Sequence, residues 1–170
     1  YKEAFQKAIR SLEIGRYGLG FAKNFQDKTK KELLKMLDVA TSERQFIMYE
    51  AIRKGATTEE LYELTRIKPY FIDQMRELVE EEEELLKSKG SVPAPEALKK
   101  AKQDGFSDRY LAQILEVSED EIRKARTEIG VTEAWEGVHV SGTKDSAYYY
   151  STYNAPDRST VNTDRPKIMI

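Results

Sequence analysis

A shift of 50 residues lays the middle of this chain onto itself. Gly55 falls on Gly105, Thr57 on Ser107, Leu61 on Leu111 and Leu64 on Ile114, with Ile67 on Val117 and Ile72 on Ile122. Each copy reads as a glycine stop, a hydroxyl cap, a short helix, a tight turn and a second helix. One copy is too small to bury its own apolar face. The two copies must therefore pack together, and with whatever helices flank them. The expected core is Leu61, Leu64, Ile67, Ile72, Met75, Leu111, Ile114, Val117 and Ile122.

The flanking pattern is helical as well. Lys2 to Glu13 carries Phe5, Ile9 and Leu12 on one stripe, and Gly15, Gly18 and Gly20 then impose a loop. Thr29 can cap a short helix bearing Leu33, Leu34 and Leu37. Ser42 and Gln45 form a capping box ahead of Phe46, Ile47 and Ile52, and Thr57 and Glu60 form another. Pro69 suits the first turn of a longer helix with Phe71, Ile72, Met75, Leu78, Val79, Leu85 and Leu86 at helical spacing, interrupted by Glu82. From Thr132 onward Ser, Thr, Gly, Pro, Asn and Asp dominate. The dense Tyr148, Tyr149, Tyr150 and Tyr153 predict an extended strap lying against a surface. Lys167 to Ile170 reads as a strand cut off before its partner. The fold class is therefore all-α: a compact multi-helix domain with two helix-turn-helix-like repeats and an extended, irregular C-terminal strap.

Composition removes several function classes. Of 170 residues, 39% are hydrophobic and 34% charged, the balance of a soluble helical protein, and no apolar run reaches a membrane span. No signal sequence stands at the N-terminus, which points to the cytoplasm. The absence of cysteine excludes disulfides and thiolate metal sites. A net charge of -2 opposes general nucleic-acid binding, and Lys28, Lys30, Lys31 and Lys35 read as one solvated helix face.

No catalytic, cofactor-binding or metal-ligating set emerges. The Gly15, Gly18, Gly20 cluster lacks the order of a phosphate-binding loop, and His139 is a lone histidine. Glu80 to Glu84 spread around a helix instead of converging, so they read as a solvated face with a Glu83–Lys87 pair. The alternative function is a helix-turn-helix DNA-binding module. Against it, the second helix of the Gly105–Ile122 copy opens with Glu119, Asp120 and Glu121 where phosphates would lie.

Three stretches resemble the large chain of carbamoyl phosphate synthetase. Ala8 to Gly15 is similar to the K-A-x-R-S-L-E-x-G run that ends its first ATP-grasp half. Ala51 to Gly55, Leu64-Thr65-x-Ile67, Phe71-Ile72, Lys102 to Ala112 and Glu121 to Lys124 resemble its central helical domain. Tyr150 to Tyr153 and Asp164 to Met169 resemble the strap that enters the second half. Val138 to Asp145 departs from the family's V-D-T-x-A-A-E-F pattern.

The resemblance implies a non-catalytic oligomerisation, or connection, domain. It divides the chain into residues 1–14 (end of the preceding half), 15–131 (helical domain), 132–166 (linker strap) and 167–170 (first strand of the following half). The parent it implies is a ligase that makes carbamoyl phosphate from bicarbonate, glutamine-derived ammonia and two ATP, with Mg or Mn. Its partners would be the flanking ATP-grasp halves, the small glutaminase subunit and further copies of itself, with no nucleic acid and no membrane. Leu33, Leu34, Leu37 and Phe46 are the candidate assembly surface.

Overall fold

The computed structural model describes residues 1–139, 141–142 and 147–158. Eight α-helices precede one β-hairpin among them: α1 (Lys2–Arg10), α2 (Lys30–Met36), α3 (Arg44–Arg53), α4 (Thr58–Thr65), α5 (Pro69–Leu86), α6 (Pro95–Gln103), α7 (Asp108–Leu115), α8 (Glu119–Glu128), β1 (Ala134–His139) and β2 (Ala147–Thr152). The expected strand at Lys167 to Ile170 lies outside the described residues.

The internal repeat holds to the residue. Helices α3 and α6 end 50 residues apart, α4 and α7 begin and end 50 apart, and α5 and α8 begin 50 apart. Gly55 and Gly105 both take positive φ, at 83° and 98°. Arg66 and Glu116 close the short helices in the left-handed region at 57° and 56°. The correspondence extends to polar contacts. Arg76 donates to Thr58 Oγ1, and Arg126, its counterpart, donates to Asp108 at the matching position.

Caps fix the starts. Thr57 with Glu60, Thr29 with Glu32 and Ser118 with Glu121 form complete capping boxes, and Pro69 and Pro95 open α5 and α6. Ser107 accepts from Tyr110 N but forms no box, because Tyr110 replaces the glutamate and turns inward. The expected Ser42–Gln45 box is absent: α3 starts at Arg44, after Glu43, with no side-chain cap. Helix α1 stops at Arg10 and leaves Leu12 exposed.

Helix α3 is the central element, with every residue from Phe46 to Ile52 buried. Leu33 and Leu37 of α2 are buried in the same core cluster, and Leu34 is partly buried against it. Leu33, Leu37 and Phe46, expected as subunit contacts, therefore pack inside the chain. Of the expected core, Leu61, Ile72, Met75, Leu111, Ile114 and Ile122 are buried, and Ile67 and Val117 are partly buried. Leu64 is 37% exposed, unlike its counterpart Ile114. Helix α4 packs chiefly on α5, whereas α7 is enclosed by both α5 and α8.

The strap is not wholly irregular. Strands β1 and β2 pair antiparallel, with Trp135 opposite Ser151 and Val138 opposite Tyr148. Tyr148, Tyr149 and Tyr150 are exposed instead of lying on a surface, and only Tyr153 of the four tyrosines packs inward.

Leu61→Ala and Ile122→Ala remove fully buried side chains and should each cost about 2–5 kcal/mol, while Leu64→Ala should cost about 1 kcal/mol or less. Thermal denaturation checks this. Equal losses at all three positions would contradict the burial pattern.

Candidate functional site: the junction of the first helix and the C-terminal strap

Helix α1 seats on the C-terminal end of α6, where a helix leaves carbonyls unpaired and carries partial negative charge. Gln6 Nε2 donates to Asp104 O at 3.0 Å, and Arg10 Nη1 donates to Gly105 O at 2.7 Å. Lys2 Nζ lies 3.0 Å from the Asp104 carboxylate. The seat needs glycine at 105. A Cβ there would meet Glu3 Cα at 2.7 Å, and the φ of +98° independently favours glycine.

Glu3 then grips the strap. Its carboxylate accepts from Thr152 Oγ1 at 2.7 Å, Tyr153 N at 3.1 Å, Asn154 Nδ2 at 2.7 Å and Lys7 Nζ at 2.8 Å. Burial opposes ionisation of Glu3, but these donors outweigh it and hold the carboxyl below its usual range. Lys7 also donates to Ser151 O, and Asn154 Nδ2 donates to Gln103 O at 2.8 Å. Tyr153 donates to Glu133 while its ring lies 5.0 Å from Lys102 Nζ. Lys102 and Arg126 both bond Asp108, at 2.6 and 2.7 Å, so α6, α7 and α8 meet the strap through one charged set. The first and last described elements are thus joined at one place.

A second polar centre stiffens the block behind this junction. Glu82, fully buried, accepts from Tyr49 OH at 2.9 Å and Tyr110 OH at 2.8 Å and pairs with Arg53. Tyr110 OH in turn accepts from Gly20 N at 3.1 Å. Two glycines of that loop, Gly18 and Gly20, now have a packing reason. A Cβ on Gly18 would collide with the Tyr110 ring, and one on Gly20 with the Glu82 carboxylate and the Tyr110 hydroxyl. Burial pushes the Glu82 carboxyl up, opposed by Arg53 and the two tyrosine hydroxyls. Breaking one partner of such a buried set typically costs about 3–5 kcal/mol, because the remaining charge loses its compensation.

The five glutamates therefore correct the solvated-face expectation. Glu80, Glu83 and Glu84 are exposed, but Glu81 and Glu82 face inward. Lys87 pairs with Glu84 instead of Glu83, and Glu83 pairs with Arg53. Glu82 lies three or four residues from Leu78, Val79 and Leu85, inside the apolar stripe, and that spacing was the available signal. Glu3 carried none, because its strap partners stand about 150 positions away.

Glu81 meets Lys100 at 2.5 Å, and Lys100 also bonds Asp104 at 2.9 Å, which brings the two carboxylates together beside a groove of about 540 Å³ floored by Leu85, Pro93, Ala94 and Ala97. Burial, then the Asp104 contact, push Glu81 up to about 7 against the pull of Lys100. Asp104 is opposed by burial but held down at about 2 by that same contact and by Lys100 and Lys2. Among the described residues no group of three His, Asp or Glu side chains is arranged to hold a metal, and no helix is long and apolar enough to cross a membrane.

The charge at the start of the second helix of the Gly105–Ile122 copy opposes contact with phosphates. Glu119, Asp120 and Glu121 form the first turn of α8, and Arg123 is paired with Glu119 and Asp120. The DNA-binding alternative finds no support.

Comparison with known proteins shows the family to which this domain belongs. Residues 1–130 match the family described as the carbamoyl-phosphate synthetase large chain, oligomerisation domain. The carbamoyl phosphate synthase large chain of Archaeoglobus fulgidus is 42% identical over 178 residues, covering all of this chain and 16% of that protein. The large chain of Synechocystis sp. is 36% identical, again covering all of this chain and 16% of the relative. In Aquifex aeolicus the similar protein is a carbamoyl phosphate synthase large chain, N-terminal section. It is 40% identical over 92% of this chain and 28% of its own length. This chain belongs to the oligomerisation-domain family of the carbamoyl-phosphate synthetase large chain, and it spans about a sixth of the full-length relatives.

The raised Glu81 gives a pH signature. A carboxyl whose folded pKa of about 7 exceeds its ordinary 4.5 stabilises the fold below pH 4.5, and that stabilisation is lost as pH rises through 7. Between pH 5 and 8, Glu81→Gln should therefore lose about 1 kcal/mol less stability than the parent sequence, after allowance for solvent screening. Chemical denaturation at several pH values measures the two slopes. Parallel slopes would contradict the assignment.

Proposed function

We propose that this domain is the non-catalytic connector of a carbamoyl phosphate synthetase large chain, fixing two catalytic halves at a set separation and supporting subunit assembly. The observation that carries it is the Glu3 junction. Helix α1 and residues 152–154 are bonded to each other and to the same end of α6, so chain entering by α1 and leaving by the strap departs from one rigid place. A tightly packed helical block resists deformation, which a spacer requires. The ATP, metal and glutaminase chemistry of the parent belongs in this reading to other parts of the enzyme. The Aquifex relative, named an N-terminal section, supports the idea that the domain travels with the first half.

Assembly needs an exposed face. Tyr1, Tyr70 and Phe71 offer one, with ring centroids 5.2–6.0 Å apart and all three rings exposed, in place of the buried Leu33, Leu37 and Phe46.

The test uses the full-length large chain. Glu3→Ala should lower carbamoyl phosphate formed per ATP hydrolysed several-fold while leaving bicarbonate-dependent ATP hydrolysis largely intact, since the sites persist but their spacing relaxes. Loss of both activities to the same degree in a folded variant would instead place chemistry within this domain.

A further inference from the structure

The hairpin is a firmly held display of exposed aromatic side chains. Its root is anchored: Ala134 and Thr152 are buried, Thr152 bonds Glu3, and Lys7 bonds Ser151 O. The outer side of β1 is closed at Trp135, whose N–H donates to Asp157 Oδ1 at 3.1 Å and whose carbonyl accepts from Arg158 N at 3.0 Å. Arg158 also pairs with Glu136 at 3.2 Å. Beyond that root Trp135, Val138, Tyr148, Tyr149 and Tyr150 are all exposed. The register puts Trp135 and Tyr149 on one face, and Val138, Tyr148 and Tyr150 on the other. Trp135 is 44% exposed, Tyr149 59% and Tyr148 76%.

A two-stranded ribbon is marginal in water unless a third strand or a packed face supports it. Tyrosine and tryptophan are also the side chains most enriched at the energetic centres of protein interfaces. Both arguments call for a protein cover on each face.

The Aquifex relative says which protein. There the matching polypeptide is a separate N-terminal section, and the unmatched 8% of this chain is too short to reach the hairpin from either end. Where the large chain is made in sections, the hairpin stays with the first one. The remaining section must then be held without a peptide bond, by a surface the first section presents. We infer that the aromatic hairpin is the noncovalent docking site for the C-terminal section of the same large chain, gripped on both faces. The inference rests on the connector reading and deepens it by assigning a partner to a surface.

The experiment places the photo-crosslinking residue p-benzoylphenylalanine at Tyr148 or at Tyr149 of the full-length large chain, one probe per face, with Tyr70 as an exposed control. Illumination followed by peptide mass spectrometry should join both hairpin probes to peptides of the C-terminal section, and the Tyr70 probe should not yield those products. Mixing ¹⁴N- and ¹⁵N-labelled chains identifies products between copies. Mixed-isotope products at the hairpin would overturn the proposal in favour of a second copy, and products confined to the N-terminal section, or none, would overturn it outright. The outcome is independent of the Glu3→Ala coupling assay. Crosslinks to the C-terminal section with unchanged coupling would sink the connector reading while leaving the docking site in place.

Discussion

The architecture depends on the close approach of α1 to the end of α6. That approach places three cationic or amide side chains, Lys2, Gln6 and Arg10, against the Asp104 carboxylate and the Asp104 and Gly105 carbonyls just past the end of α6. It also brings Glu3 to the one position from which it can accept four hydrogen bonds, three of them from the strap. Any side chain at 105 would push α1 away and separate Glu3 from residues 152–154. One missing Cβ thus underlies the union of the two chain directions.

Behind the junction the helices are tied by charge as well as by apolar burial. Glu82 gathers α3, α5, α7 and the glycine loop, and Asp108 gathers α6 and α8. Such sets add little net stability over a hydrophobic filling, since desolvation offsets most of the attraction. Their contribution here is geometric: each accepts partners at fixed distances and directions, so the two repeat copies meet in one arrangement. That suits a spacer, whose output is a distance.

Much of the fold was legible because its signals are local. Glycine stops, hydroxyl caps and turn positions act within four or five residues, so the 50-residue repeat predicted helix ends that the structure reproduces. Facing was less legible. Leu33, Leu37 and Phe46 lie on apolar stripes, and a stripe does not state whether it meets the same chain or another. Leu64 and Ile114 occupy equivalent positions yet differ in burial, because α7 has two helical neighbours where α4 has chiefly one. Glu81 and Glu82 were hidden by their charge, although their spacing within α5 placed them at the core. The hairpin was hidden by three consecutive tyrosines, which mask the alternation a strand normally shows. The junction itself could not be read, since its two sides are separated by almost the whole described chain.

The most direct measurement is native-state hydrogen exchange at the Tyr153 and Asn154 amides, the first bonded to Glu3 and the second to Thr152. If the strap is locked to α1, both amides should exchange as slowly as those of α7 and lose that protection in Glu3→Ala while α7 keeps its own. Exchange at the rate of an unstructured tail in the unaltered protein would contradict the account.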